Sequence, residues 1–232
     1  MSRKRFLAWA GGLGLAVLLP GCGDDGPAGG AATMTDGDPT TAAPSTSTAA
    51  VADCVLTPET SEGPYYLDLD RVRSDITEGR PGTALELAIT VIDADACEPI
   101  EDAAVDVWHC DAGGAYSGVA GESEIFLRGT QVTDAKGRAE FTTIFPGWYS
   151  GRAVHIHVKV HVETNEAYTG QLFFEESLIE TVYATEPYNG RPGPDVSNAA
   201  DGIFGQSRGA TIVAVTPGDP LRGAVVLGVQ RA

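Results

Sequence analysis

Positive charge is scarce in this sequence. Its 232 residues include 15 Lys and Arg against 32 Asp and Glu, which gives a formal net charge of −17 at pH 7. Proteins that bind nucleic acid or anionic lipid through charge need an excess of Lys and Arg, because they must neutralise phosphates. The composition therefore argues against both kinds of partner.

Long hydrophobic runs are also lacking, apart from one near the start. Residues 6–19 are uncharged and mostly apolar, and they follow Arg3, Lys4 and Arg5. This run is shorter than the ~20 residues that a membrane-spanning helix needs. A basic start followed by a short apolar stretch is typical of an export signal, to which we assign residues 1–21.

The end of this segment carries a second motif. Leu19-Pro20-Gly21-Cys22 resembles the lipobox of bacterial lipoproteins, in which the cysteine becomes the acylated first residue. We therefore expect an exported, extracytoplasmic protein that meets a membrane only through a lipid on Cys22. Residues 2–7 also resemble a twin-arginine signal with Lys4 in place of the second arginine, so the export route, general secretory or twin-arginine, stays open.

Residues 22–50 contain almost nothing that could build a core. Gly, Ala, Thr, Ser, Pro and Asp dominate this segment. Such a composition cannot offset its own chain entropy, so we expect a flexible tether. Residues 51–232 remain, which is long enough for one domain with its own core.

Cysteine is rare as well, with four residues in the chain. If Cys22 is acylated, three thiols remain and allow at most one disulfide. Cys97 lies in a predicted turn and Cys110 at the end of the strand that leaves it, so these two should be too far apart to bond. We expect Cys54 to pair with Cys97, with Cys110 as the alternative.

Strand periodicity dominates the rest of the chain, and only Glu175–Ala184 predicts a short helix. Short alternating strands separated by turns are typical of an all-β fold. We expect a single β-sandwich of mostly antiparallel strands, with long loops and little helix. The predicted strands are Ala84–Asp93, Ala104–His109, Arg138–Phe145, Val154–Val162, Ala210–Thr216 and Gly223–Gln230.

The strand at Val154–Val162 has the clearest alternation. Its even-numbered positions are all Val or Ile and predict the core face, so His155, His157 and His161 share the opposite face. His155 and His157 would then lie ~6.5 Å apart along the strand. Two imidazoles in this arrangement can bind one metal ion or simply face solvent. We interpret His161 as exposed.

Two tyrosines accompany these histidines at predicted strand ends. Tyr149 follows one strand by a few residues and precedes His155 by six, and Tyr116 lies just beyond the strand that ends at His109. Strand ends gather at the rim of a sandwich, where loops can direct side chains to a shared site. Phenolate oxygen together with neutral imidazole suits ferric iron, whereas a rim aromatic that only packs on a loop remains the simpler reading of each tyrosine.

Four segments around these residues resemble the intradiol ring-cleavage dioxygenases, the family of protocatechuate 3,4-dioxygenase and catechol 1,2-dioxygenase. The resemblance is closest to small, exported, single-domain members, and it extends to residues 57–66 and 169–174. The four segments are Trp108-His109-Cys110-Asp111, Gly114-Ala115-Tyr116-Ser117, Thr143-Ile144-Phe145-Pro146-Gly147-Trp148-Tyr149 and Arg152-Ala153-Val154-His155-Ile156-His157.

The resemblance implies a role for each of several residues. The metal ligands of a non-haem Fe(III) would be Tyr116, Tyr149, His155 and His157. The catalytic residues would be Arg152, Gln171 and Tyr149. The substrate-binding residues would be Gly63, Pro64, Tyr65 and Trp148. His109 has no counterpart among these roles, and we interpret it as structural.

The implied activity is intradiol cleavage, which inserts both atoms of O2 into a catechol-type diol and gives a cis,cis-muconate-type diacid. A small aromatic diol and O2 would be its partners, and the sequence leaves open whether the chain forms a homo-oligomer. Two other hypotheses are a non-catalytic surface lipoprotein that binds carbohydrate or protein, and a zinc or copper site on the same scaffold.

Overall fold

The computed structural model describes residues 54–69, 71–119 and 123–231 of the chain. The predicted export signal, the lipidation site Cys22 and the predicted tether lie outside these residues. The strands are β1 (Ala84–Asp93), β2 (Ala104–Trp108), β3 (Arg128–Val132), β4 (Arg138–Ile144), β5 (His155–Val162), β6 (Asn165–Phe173), β7 (Ala214–Thr216) and β8 (Leu221–Val229). The helices are α1 (Glu176–Tyr183) and α2 (Gly202–Ser207), with short 3-10 turns at Tyr188–Gly190 and Asn198–Ala200.

The eight strands form two four-stranded sheets. The first sheet has the order β4-β1-β8-β7, and the second has the order β3-β2-β5-β6. All pairs within the two sheets are antiparallel except β1 with β8, which run parallel. The all-β sandwich predicted from the sequence is confirmed.

The core lies between the two sheets and consists of their inward-facing side chains. On β1 the four alternate residues Leu85, Leu87, Ile89 and Val91 are all buried, as the periodicity predicts. The even-numbered residues of β5 meet them from the second sheet and are buried as well. Complete burial of one such side chain stabilises the fold by about 1.5–3 kcal/mol, so this alternation fixes which face of each strand points inward.

The outer face of the second sheet is covered by a segment from the N-terminal side of β1. We call residues 60–69 and 71–73 the covering segment. At one end, the Thr60 N–H donates to the Thr169 carbonyl on edge strand β6 (3.0 Å), and at the other the Arg73 N–H donates to the Thr130 carbonyl on edge strand β3 (3.0 Å). The segment therefore runs from one edge of the sheet to the other, and odd-numbered residues of β5 are buried beneath it.

Several sequence predictions can be compared with this structure. The Cys54–Cys97 disulfide is confirmed, and Cys110 is a buried free thiol. The predicted helix is confirmed as α1, but β3, β6 and α2 were not predicted, and only the last three residues of the strand predicted at Ala210–Thr216 form β7. No helix in the described part of the chain is long and apolar enough to cross a membrane.

The expected exposure of His161 is wrong. Its side chain is only 12% exposed, and its Nε2 lies 3.3 Å from the Asp106 carboxylate. The covering segment explains this burial, because it adds a layer that strand periodicity alone does not reveal. The structural interpretation of His109 agrees with its environment, since its ring is fully buried and bonds to Cys110 O (2.8 Å) and Thr143 Oγ1 (2.7 Å).

Candidate metal centre and substrate site

Two tyrosines and two histidines converge beneath the covering segment. His155 and His157 project from the same face of β5, and their Nε2 atoms are 3.1 Å apart. The Tyr149 hydroxyl, on the loop after β4, lies 3.2 Å from His155 Nε2. Tyr116, on the loop after β2, has its ring 5.6 Å from that of Tyr149 and 6.0 Å from that of His157. The structure thus brings together all four predicted ligands.

The tautomer of His155 suits metal binding. Its Nδ1 lies 2.7 Å from the Ala153 carbonyl, which can only accept a hydrogen bond, so Nδ1 carries the proton. Burial lowers the pKa of His155 to about 4, so the ring is neutral near pH 7. Nε2 consequently keeps its lone pair, and it points toward Tyr149 and His157. A backbone partner of this kind commonly orients a metal-binding imidazole.

The Tyr116 hydroxyl also fits a bound cation. It is buried and makes no hydrogen bond of good geometry among the described residues, although the Tyr149 hydroxyl is close enough to raise its pKa. Leaving such a group unsatisfied costs about 1–3 kcal/mol, which binding to a cation would offset. Burial raises the pKa of Tyr116 well above its usual value, and a trivalent ion at the site would reverse this shift by favouring the phenolate.

The donor set indicates which metal the site could hold. Two phenol oxygens and two imidazole nitrogens suit ferric iron. Among the described residues, no three His, Cys, Asp or Glu side chains are grouped so that they could hold a metal ion. The candidate centre therefore depends on its two tyrosines as well as on its histidines.

Aromatic rings surround the four donors. The Trp108 indole stacks on the His157 imidazole, with ring centroids 4.9 Å apart and an interplanar angle of 6°. Tyr65, a predicted substrate-site residue, stacks on Tyr116 at 4.4 Å and meets the Tyr149 ring edge-on at 6.1 Å. These planar contacts give the site flat apolar walls that suit an aromatic ligand.

Gly63 leaves space beside His157. Its φ is +72°, and a Cβ added there would lie 3.0 Å from His157 Cε1. A side chain at this position would therefore be strained by the backbone and would crowd the imidazole. The neighbouring Pro64, a predicted substrate-site residue, is exposed.

Arg152 and Gln171 form a polar pair beside the centre. Arg152 Nη2 donates to Gln171 Oε1 (2.5 Å), and Gln171 Nε2 donates to the Ser61 carbonyl (2.9 Å) of the covering segment. Arg152 Nε also donates to the buried carboxylate of Asp201 (2.8 Å). Gln171 faces His157 across β5 and β6, so the pair lies on the same face of the sheet as the candidate ligands.

Arg128 supports the site from its other side. It is 4% exposed and donates to the Ser117 carbonyl and hydroxyl and to the Tyr65 carbonyl. Burial lowers the pKa of Arg128 to about 10, while the neighbouring Tyr116 acts in the opposite direction. The guanidinium thereby ties the loop of Tyr116 to the covering segment.

Trp148 is the predicted site residue whose surroundings differ most from expectation. Its indole Nε1 donates to the Pro192 carbonyl (3.1 Å), and the Arg191 guanidinium lies 4.1 Å from the ring centroid. The ring packs on the main core, whereas Tyr65, Tyr116 and Tyr149 belong to a separate aromatic cluster with Trp108. Trp148 thus packs away from that cluster.

Sequence reasoning missed three residues that contact the site, namely Trp108, Arg128 and Asp201. Asp201 precedes Gly-Ile-Phe, and an aspartate before an apolar run is a helix N-cap signal that could have revealed α2. Trp108 belongs to one of the segments that resemble the dioxygenase family, but its stacking on His157 depends on the register between β2 and β5. Arg128 carries no local signal, because its acceptors lie 11 and 63 residues away.

Comparison with known proteins identifies the family. Residues 58–185 match the model of a family described as Dioxygenase. This match covers more than half of the chain, and together with its relatives it shows that the chain belongs to the intradiol ring-cleavage dioxygenase family.

The relatives include solved structures and curated proteins. An intradiol ring-cleavage dioxygenase from Tetranychus urticae has a TM-score of 0.74 and 37% identity, covering 76% of this chain and 95% of that chain. The dioxygenase domain of a dioxygenase carbohydrate-binding protein fusion from Streptomyces sp. SirexAA-E has a TM-score of 0.60 and 30% identity, covering 76% and 99%. Catechol 1,2-dioxygenase of Acinetobacter baylyi is 30% identical over 50% of this chain and 45% of its own length. The chain spans about half the length of the curated relatives it matches.

Proposed function

We propose that the protein is a non-haem iron(III) intradiol dioxygenase that inserts both atoms of O2 into a catechol-type aromatic diol and yields a cis,cis-muconate-type diacid. The observation that supports this most directly is the convergence of two phenol oxygens and two imidazole nitrogens at one buried point. Family membership supports the reaction class, and relatives named as catechol and chlorocatechol 1,2-dioxygenases support the substrate class.

The two tyrosines have different tasks in this proposal. Ferric iron bound by Tyr116, Tyr149, His155 and His157 would supply Lewis acidity that makes a deprotonated diol reactive toward O2. Tyr149 is the more exposed of the tyrosines, and as a phenolate it can take up a proton from the entering diol. Tyr116 is buried against Tyr65 and remains in place.

Arg152 supplies positive charge next to the reacting ring. Its bonds to Asp201 and Gln171 fix the guanidinium before the substrate arrives, so little reorganisation is needed during the reaction. Such a preorganised cation stabilises the negative charge that develops on the substrate as the ring opens. The rings of Tyr65 and Tyr116 can exclude water and align the flat diol.

Iron loading and oxygen uptake test the proposal. The purified protein with ferric iron should be red-brown from tyrosinate-to-iron charge transfer, and it should consume O2 with catechol, protocatechuate or hydroxyquinol. Tyr149→Phe and His157→Ala should each weaken or abolish the colour. Tyr168→Phe is the matched control, because Tyr168 is a buried tyrosine on the core side of β6. A colourless wild type without bound iron would reject the enzyme and favour a non-catalytic binding protein.

We also propose that the protein is exported and held at a membrane by a lipid on Cys22. The Cys54–Cys97 disulfide supports this, because such bonds persist in oxidising compartments outside the cytoplasm. Labelled palmitate should enter the wild type in its host and not the Cys22→Ser variant. Equal labelling of both would contradict the anchor.

A further inference from the structure

A buried carboxylate outside the family match lies directly behind the candidate site. The Asp201 side chain is 1% exposed and stands just before α2, beyond residues 58–185 of the matched segment. Its Oδ1 accepts hydrogen bonds from the backbone N–H groups of Ile203 (2.7 Å) and Phe204 (3.2 Å). Its Oδ2 accepts from Arg152 Nε (2.8 Å) and the Ala153 N–H (2.8 Å). One carboxylate thus joins the start of α2 to the segment that precedes β5.

The backbone of Ala153 transmits this constraint to His155. Its N–H is fixed by Asp201, and its carbonyl accepts the bond from His155 Nδ1 (2.7 Å) that sets the tautomer and the ring orientation. A shift of the carboxylate would move this backbone and turn the imidazole. His155 Nε2 would then no longer point at the other candidate ligands.

A second route runs from α2 to the same imidazole. The Phe204 ring meets the Phe173 ring edge-on at 5.1 Å, and the Phe173 ring lies 6.1 Å from the His155 ring. Asp201 caps the helix that carries Phe204, so it also fixes the far side of this aromatic stack. Both routes connect Asp201 to His155. The hydrogen bond from Arg152 Nε to Asp201 Oδ2 connects the same carboxylate to Arg152.

We propose that Asp201 is a positioning residue that aligns His155 for the metal and Arg152 for the substrate at the same time. This rests on the proposed function, and it adds a residue from outside the family match that acts on both parts of the site. A residue that only caps α2 would need the Oδ1 bonds, whereas the Oδ2 bonds to Arg152 and Ala153 give Asp201 a purpose at the site.

The test compares Asp201→Asn with Asp195→Asn in the full-length protein. Asparagine has one oxygen and one NH2 group in place of two oxygens, so one of the two pairs of N–H donors loses its acceptor. The side chain also loses its negative charge. Asp195 lies in the same segment, is exposed, and accepts from Ser150 Oγ (2.7 Å) and the Gly151 N–H (3.2 Å), which makes its loss of charge a matched control.

Iron affinity and turnover provide the readouts. Titration of the apoprotein with ferric iron against a competing chelator should show an affinity about 10–100-fold lower for Asp201→Asn, with a similar fall in kcat. Asp195→Asn should stay within about twofold of wild type in both, as expected for an exposed carboxylate. In an Arg152→Ala background, Asp201→Asn should lower kcat much less, because its partner is already gone, while the loss of iron affinity should persist through His155.

Each outcome decides between the alternatives. A folded Asp201→Asn with wild-type iron affinity, charge-transfer band and kcat would overturn the positioning role. A wild type that neither binds iron nor consumes O2 would refute the proposed function instead. If Asp201→Asn does not fold, Asp201→Glu replaces it and should lower both readouts by moving the carboxylate one methylene outward. Failure of both variants to fold would assign Asp201 to stability alone and overturn the proposal.

Discussion

The outer faces of the two sheets follow the same alternation but have opposite surroundings. On the first sheet the charged residues of this face, such as Glu86, Glu140 and Arg222, are exposed, although Ala88 and Ile92 on β1 are buried. On the second sheet the covering segment lies over it, and His157, Lys159 and Gln171 are buried. Strand periodicity alone therefore distinguishes a core face from an outer face, but it does not reveal whether the outer face meets water.

The difference determines what the polar groups can do. The exposed Arg222–Glu86 pair is screened by water and contributes little to stability. Beneath the covering segment, each polar group must find a specific partner, because burial without one is costly. Burial beneath the segment also keeps His155 neutral, and the hydrogen bonds that burial requires keep Arg152 oriented. A metal site needs both.

The largest expected difference between the two sheets is in how acid affects the stability of the groups around them. All four histidines lie on the second sheet or directly after β2, and none lies on β1, β4, β7 or β8. His109 is fully buried, and burial lowers its pKa to about 4 from 6.5. As the pH falls, His109 is therefore protonated near pH 6.5 in the unfolded chain, but only near pH 4 in the folded chain. The contribution of neutral His109 to the free energy of unfolding is fully present above pH 6.5. It is lost as the pH falls toward about 4, by up to roughly 3 kcal/mol.

Urea unfolding of the apoprotein at a series of pH values measures this effect. The free energy of unfolding should fall by up to about 1.4 kcal/mol per pH unit for each buried histidine in this range. His109→Gln can replace both ring hydrogen bonds without titrating, so it should have a shallower slope than wild type. The same slope in both proteins would show that His109 contributes nothing to the acid sensitivity.

Lys159 and Arg222 allow a direct comparison of the two faces. The Lys159 side chain is 5% exposed, forms ion pairs with Glu62 and Glu166, and lies 4.3 Å from the Tyr66 ring centroid. Lys159→Ala removes one of the side-chain links between the second sheet and the covering segment, and it should cost about 2 kcal/mol. Arg222→Ala removes a cation that is 65% exposed and should cost below about 0.5 kcal/mol. Equal losses in urea unfolding would contradict the distinction between the faces.

Local sequence signals predicted the parts of the structure that local contacts determine. The bounds of β1 are those given by its alternation, and the pairing of His155 with His157 follows from their spacing on β5. β3 was missed because Arg-Gly-Thr-Gln-Val shows no apolar alternation. The covering segment has no periodicity, so its position over the second sheet could not be predicted.

Long sequence separations explain what was missed at the site. Lys159 pairs with Glu62 across 97 residues, and Arg152 pairs with Asp201 across 49. Neither pairing leaves a local pattern, because both depend on how distant segments pack on the sheet. Tyr116 and Tyr149 could be singled out at predicted strand ends, but only the family resemblance favoured metal binding over packing on a loop.

The smallest effect concerns one hydroxyl of the covering segment. Tyr66 donates to Asp106 Oδ2 (3.0 Å), a carboxylate that also accepts from Thr130 Oγ1 (2.5 Å). Tyr66→Phe keeps the ring against Trp108 and should cost about 1 kcal/mol, because a buried acceptor loses one of its partners.

On the open face, Glu86→Gln changes an exposed partner and should cost less than about 0.5 kcal/mol in the same urea unfolding experiment. If both substitutions cost the same, the hydroxyl of Tyr66 behaves like a surface group. The covering segment would then be held over the sheet mainly by Lys159 and by the backbone hydrogen bonds at its two ends. A larger loss for Tyr66→Phe would instead show that hydrogen bonds along the segment, and not only at its ends, hold it over the second sheet.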